Sequence, residues 1–304
     1  MDTPFDPTAD FTPDPSLALH RWGCSCPLHS RRRFGAALLG GTATLALPGL
    51  ARADGVVVDE RSSLAGLVSA EQIEGVALQQ YREMRQQASQ KHALAPDDHP
   101  QVVRLRAIAK ELIPHTTSPN IKSTPRARDW KWEVSLIGSK EINAFCMPGG
   151  KIAFFSGILQ KLQLSDDEVA MVMGHEMAHA LREHARARLA KNAGTGAALS
   201  IAAQLLGLGQ AGDLAARAGT QLITLKFSRS DETDADLVGL ELAARAGYDP
   251  KASVSLWTKM AKASKSEGAL GFLSTHPSGP DRIRVLQANL PKVEGLSGRL
   301  RNGG

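Results

Sequence analysis

The sequence predicts an α+β fold, mainly helical, with a small β-sheet standing just ahead of one long helix. Three observations carry this. Residues 69–90 and 101–115 repeat apolar positions at the helical period. Residues 130–155 alternate or run extended through a Pro-Gly-Gly turn, and residues 164–191 open on a helix-capping signal. With 304 residues and 42% hydrophobic content, the chain can form one or two domains with a proper core. No stretch joins the ~20 strongly apolar residues of a spanning helix.

Residues 1–29 are rich in Pro and Asp and show no period. Ser30, Arg31 and Arg32, followed by Phe34, read as a twin-arginine export signal. Ala36–Leu50 is an apolar stretch too short to span a bilayer, and Ala51-Arg52-Ala53 fits an A-x-A cleavage site. Cleavage there removes five Arg and four Asp, takes the net charge from +5 to +4, and starts the mature chain at Asp54. It also removes Cys24 and Cys26, whose CxC spacing beside His20 and His29 is not that of a zinc finger. Cys146 then stands alone, reads as a small packed residue, and excludes an internal disulfide framework. The basic excess reads as solvated surface. Without an RNA-binding aromatic motif or a long Lys/Arg block, no nucleic-acid partner is expected.

SAEQIEGVALQQYREMRQQASQ, residues 69–90, is an amphipathic helix with Ile73, Val76, Leu78 and Met84 among polar neighbours. Ala95-Pro96-Asp97-Asp98-His99-Pro100 breaks it. QVVRLRAIAKELIPH resumes with Val103, Leu105, Ile108 and Leu112. His92, His99 and His115 flank the breaks and read as solvated loop histidines. WKWEVSLIG alternates as a strand, EINAFCMPGG adds a second extended run, and KIAFFSG a third. In the long helix, Ser165 and Glu168 have the capping-box spacing, and Asp166 and Asp167 suit the positive end of its dipole. Met171-Val172-Met173 point to burial nearly all round.

MVMGHEMAHALREH, residues 171–184, sets His175 and His179 four apart on one helical face, so both rings can aim at a common point. Glu176 sits beside that point. This is the HExxH arrangement of two zinc ligands and a carboxylate placed to activate water. By chance it occurs in about one chain in a hundred of this length, so a third ligand is needed. His184, five residues past His179, is rotated off the metal face and reads as a surface or outer residue. Ala185 stands where the longer HExxHxxGxxH pattern needs its last His.

A glutamate from a later helix is the other completion, and FSRSDETDADLVGLELAARAGYDP, residues 227–250, supplies one. Ser228 or Ser230 can cap, Leu237, Val238, Leu240 and Leu242 mark the core face, and Gly247 and Pro250 end the helix. Glu232 and Asp236 share a face. Glu232 can ligate while Asp236 accepts the second N–H of a ligating histidine.

These residues resemble a known family, the HtpX-, BepA- and CAAX-prenyl-endopeptidase-like zinc metallopeptidases, over about residues 100–290. NAFCMPGG (143–150) is similar to the family's edge strand and turn, HEMAH (175–179) to its metal helix, SRSDETDAD (228–236) to its SR-x-x-E-x-x-AD segment, and HPSGPDR (276–282) to its HP-x-x-x-x-R segment. The resemblance implies a gluzincin core with one zinc per chain on His175, His179 and Glu232. It implies Glu176 as general base and Asp236 as outer partner of a ligand. It also places His276 and Arg282 toward the metal, as oxyanion donor or latency switch, and lets Asn143 and Ala144 pair with an extended substrate.

The implied organisation is a removed signal over residues 1–53, a helical segment over 54–100 and a zinc metallopeptidase domain over 101–304. The implied function is a periplasmic, cell-envelope endopeptidase acting on misfolded or unassembled proteins. Two other classes are a zinc-bound periplasmic chaperone with little turnover and a zinc hydrolase of cell-wall peptides. Only the chaperone would tolerate loss of Glu176. Residues 192–212, uncharged and weakly hydrophobic, read as a helical hairpin over the site and leave peripheral membrane contact open.

Overall fold

A computed structural model describes residues 54–193, 222, 225–263, 270–276 and 280–296. Helices α1 (Ala70–Gln90) and α2 (Pro100–Leu112) precede strands β1 (Glu133–Ile137), β2 (Ala144–Met147) and β3 (Lys151–Phe155). Helices α3 (Ser156–Leu162), α4 (Asp166–Leu181), α5 (His184–Ala193), α6 (Arg229–Arg245), α7 (Ala252–Ala263), α8 (Leu270–Thr275) and α9 (Pro280–Val293) follow. The expected mainly helical α+β architecture is therefore present.

The sheet has the order β1-β3-β2, with β3 parallel to β1 and antiparallel to β2. Both β1 and β2 are thus edges. The β2–β3 turn uses Gly149 and Gly150 at φ 85° and 74°, where L side chains are strained; a Cβ at Gly150 would also lie 2.8 Å from the Trp132 ring. Helices α1 and α2 take opposite faces. Ile137 and Ala153 pack with Tyr81 of α1, while Val134, Leu136 and Ile152 pack with Leu105 and Ile108 of α2. Buried Tyr81 meets its polar need through Ser135 Oγ at 2.8 Å and the Ile152 carbonyl at 3.1 Å.

At the centre lies α4, buried continuously from Glu168 to Leu181. Its capping box is formed: Ser165 Oγ accepts from Glu168 N–H at 3.3 Å, and Glu168 Oε2 accepts from Ser165 N–H at 2.9 Å. It crosses α6 at two glycines. A Cβ at Gly174 would lie 2.9 Å from the Gly239 carbonyl oxygen, and one at Gly239 2.6 Å from His175 N. An N-terminal strap seals the far side: Val56 N–H donates to fully buried Glu241 at 2.6 Å, and Arg182 donates to the Asp59 carbonyl at 2.6 Å.

Two sequence expectations change. Val103 is 54% exposed and Val102 takes its buried place, because the stripe of α2 runs Val102, Leu105, Ile108, Ala109, Leu112. His99 is not a solvated loop residue. It is buried, and its Nδ1 accepts the Gln101 N–H at 3.1 Å to cap α2. The expected signal over residues 1–53 and nearly all of the 192–212 hairpin lie outside the described residues. Among those described, no helix is long and apolar enough to cross a membrane.

Candidate active site

On α4, His175 and His179 place their Nε2 atoms 3.2 Å apart. Helix α6 begins in a reciprocal cap between Ser228 and Asp231 and carries Glu232 to the same point. Glu232 Oε1 is 3.5 Å from His179 Nε2, and its Oε2 is 3.6 Å from His175 Nε2. The end of α8 delivers His276, with Nδ1 3.0 Å from Glu232 Oε1 and 3.4 Å from His175 Nε2. All four residues are buried, and their ligand atoms lie within 4.8 Å of one another. Donors held tetrahedrally by zinc at ~2.0–2.1 Å stand ~3.4 Å apart. Most of these separations match that spacing and none exceeds 4.8 Å, so the set fits a zinc-sized cation after a small adjustment.

The close approach of Gly174 and Gly239 makes this possible, since it lets a side chain of α6 reach the histidines of α4. Electrostatics match. Burial lowers the imidazole of His175 and takes that of His179 well below its ordinary value, so both are neutral. Burial raises the Glu232 and Asp236 carboxyls, but the hydrogen bond from His276 to Glu232, the hydrogen bond from His175 to Asp236 and the Arg282 guanidinium outweigh it and hold both below their ordinary values.

Outer partners fix the rings. Asp236 Oδ1 lies 3.1 Å from His175 Nδ1, so it accepts that N–H and leaves Nε2 free to ligate. Arg282, expected near the metal as oxyanion donor or latency switch, here clamps the two carboxylates. Its Nε and Nη2 donate to Asp236 at 2.7 Å each, and Nη1 donates to Glu232 Oε2 at 2.7 Å. Its guanidinium lies 3.4 Å over the Trp257 ring.

Of the two readings of His184, surface or outer residue, the structure shows the second: it is buried, its Nδ1 3.0 Å from His179 Nδ1 and its Nε2 3.0 Å from Asp234 Oδ2. Asp234 also accepts from Arg182 Nε at 2.6 Å. Sequence reasoning missed Asp234, although it lies between Glu232 and Asp236. It missed Phe227, stacked 3.9 Å from the His179 ring, and Phe272, stacked 4.4 Å from His276. Phe272, on α8, stands four residues before His276, whose N–H donates to its carbonyl at 2.9 Å, a spacing that could have revealed it.

Glu176 is buried, and burial chiefly pushes its carboxyl up to about 7. Its Oε1 has no hydrogen-bond partner and lies 3.6 Å from His276 Nε2. Glu176, His179 and His276 line one side of a cleft whose other side is Asn143, Ala144 and the rest of β2. Asn143 turns its backbone carbonyl to Phe155 on β3, so the Ala144 N–H faces the free edge, where Asn143 Oδ1 accepts it at 3.0 Å. Neither described tyrosine reaches the cleft: Tyr81 lies in the sheet, and the Tyr248 hydroxyl donates to Glu111.

A histidine pair on one helix, a glutamate from a second and a buried carboxylate beside them, set against a free strand edge, define a metallopeptidase of the zincin type. The model of Peptidase family M48 matches residues 100–290, and the chain belongs to that family. It is 34% identical over 203 residues to the mitochondrial metalloendopeptidase OMA1 of Schizosaccharomyces pombe, covering 66% of this chain and 56% of the relative. It is 28% identical over 208 residues to the metalloprotease LoiP of Escherichia coli, 66% of this chain and 75% of that protein. It is 34% identical over 160 residues to a putative beta-barrel assembly-enhancing protease of Vibrio cholerae, 49% of this chain and 32% of that protein. The chain thus spans little more than half of the Schizosaccharomyces pombe relative.

Proposed function

We propose that this chain is a zinc-dependent endopeptidase of the cell envelope, and that it removes misfolded or unassembled proteins. The observation that carries the reading is the buried Glu176 carboxylate, its Oε1 without a hydrogen-bond partner, between the four-donor cluster and the edge of β2. The relative named for β-barrel assembly and the twin-arginine pattern support an envelope setting.

His175, His179 and Glu232 would hold one zinc, which when bound would supply the Lewis acid that peptide hydrolysis needs and lower the pKa of water toward neutrality. An extended substrate adds to β2, displacing the Asn143 bond to the Ala144 N–H. Glu176 accepts the proton of the attacking water and returns it to the leaving amine. Asp236 keeps His175 in its ligating tautomer, and Arg282 holds Asp236 and Glu232 in place. His276 is a fourth donor at ligand spacing. Were all four donors to hold zinc, the open position that catalysis needs would be filled and the enzyme would rest.

The test is mass spectrometry of an unfolded periplasmic or outer-membrane protein after incubation with the zinc-loaded chain. Glu176→Gln should keep zinc and fold yet lose cleavage by orders of magnitude; full cleavage by it would refute the mechanism. His276→Ala should raise basal proteolysis if His276 closes the site, and lower turnover by about 100- to 1000-fold if it is an oxyanion donor. Unchanged turnover would make it structural. Replacing Arg31 and Arg32 by Lys should leave unprocessed precursor, and normal processing would overturn the export route.

A further inference from the structure

Away from that centre, the described residues enclose a second cavity of about 600 Å³ along the outer edge of β1. Its size falls within the roughly 300–1,000 Å³ usual for ligand pockets. Helix α1 contributes Arg85 to one wall, helix α2 contributes Arg106 and Lys110 to the other, and Trp132, Ile113 and Val134 give it an apolar lining. Three cations therefore rim an apolar trough. The acid in the lining, Glu133, is already engaged by Lys151 at 2.9 Å and Arg85 at 3.6 Å. Arg106 meets Asp97 at 2.6 Å on the exposed rim. Lys110 has no ion pair among the described residues, and Arg85 Nε is buried without a hydrogen-bond partner.

The strand edge is partly open as well. Glu133 N–H donates to Gly150 on the β3 side, so the alternation of a parallel strand turns the backbone groups of Val134 and Leu136 outward. The Leu136 carbonyl confirms this by accepting the Ala95 N–H. The chain at Leu94 and Ala95 covers that end of β1. Val134, two residues earlier, opens to the cavity.

We propose that this trough binds an extended peptide segment bearing acidic side chains, added to the edge of β1 at Val134. Successive side chains of an added strand point to opposite faces. One set meets Arg85 on the α1 side, and the other meets Lys110 and Arg106 on the α2 side. Backbone pairing supplies affinity, and the cations select the acidic sequence. The site is separate from the hydrolytic centre and does not depend on it. Cations along an edge strand also discourage edge-to-edge association. That protective role alone carries no preference for one peptide over another.

Fluorescence anisotropy separates the two, using the full chain with Glu176→Gln so that the probe stays intact. The probes are a labelled ten-residue peptide alternating Glu with Val and its Lys–Val counterpart. The Glu peptide should bind at least about tenfold more tightly, and N-methylation of its alternate residues should weaken it by a similar factor. Arg106→Glu with Lys110→Glu lies on exposed positions and should erase the preference while zinc content and Tm stay unchanged. Equal binding of the two peptides, no effect of N-methylation, or an undiminished preference in the folded double variant would overturn the proposal.

Discussion

Replacing Gly239 with alanine tests how the candidate site is held together. The added methyl would lie 2.6 Å from His175 N and 2.9 Å from the carbonyl carbon of Gly174 and the Cα of His175. Ordinary contact begins at 3.4 Å, so α4 and α6 must part by about 0.8 Å. The obstructing atoms are backbone, and no rotamer change relieves the clash. Overpacking of this kind costs ~1–3 kcal/mol, which lowers Tm by roughly 2–12 °C in a chain of this size. The separation moves α4, which carries both histidines, away from α6, which carries Glu232, whereas metal–ligand distances tolerate only ~0.2 Å. Zinc affinity should therefore fall, by about 10- to 100-fold if the effect matches loss of an outer partner. Chelator competition and thermal unfolding with and without zinc measure both effects. Gly75, on α1 with nothing within 4 Å of an added methyl, is the control. Alanine there should stabilise by up to ~1 kcal/mol and leave zinc binding alone. Wild-type Tm and zinc affinity in Gly239→Ala would refute the reasoning.

Two further predictions rest on the helix supports. His184→Ala removes the partner of His179 Nδ1, so chelator competition should show zinc affinity reduced by about 10- to 100-fold; an unchanged affinity would leave His184 a packing residue. Burial raises the Glu168 carboxyl, but hydrogen bonds from Lys259, the Ser165 backbone and Ser255 outweigh it and hold it below its ordinary 4.5. Its contribution to stability is therefore present above pH 4.5 and is lost as pH falls through the lower folded value. Glu168→Gln should cost about 1 kcal/mol near neutrality through the weakened cap, and its urea midpoint should converge with wild type in acid. Parallel midpoints from pH 3 to 7 would count against this.

What could be read from the sequence was local. The His175–His179 pair, the Glu232–Asp236 pair and the Ser165 cap are fixed by the pitch of single helices, and the four ordered segments added the family. The Gly174–Gly239 contact was not legible, because a glycine inside a helix gives no sign of the backbone that will press on it. His184 read as a surface or outer residue for a related reason: its burial depends on a neighbour distant in the chain, Asp234, 50 residues further on. Arg282 could be placed near the site but not assigned its clamp, since only the fold shows that its donors are taken up by Asp236 and Glu232.

The wide sequence spread of the donor cluster has a consequence for biosynthesis. His276 follows His175 by 101 residues, and the Arg282 clamp follows it by 107. A ribosome therefore delivers the histidine helix well before the carboxylates and guanidinium that complete its surroundings. A chain halted before residue 232 owns two histidines with no acidic partner from α6, and one halted before residue 282 has two buried carboxylates without their cation. No form that ends before residue 282 holds the whole set. The first residues of α9 thus complete the set, since Arg282 on that helix is the donor that holds both carboxylates.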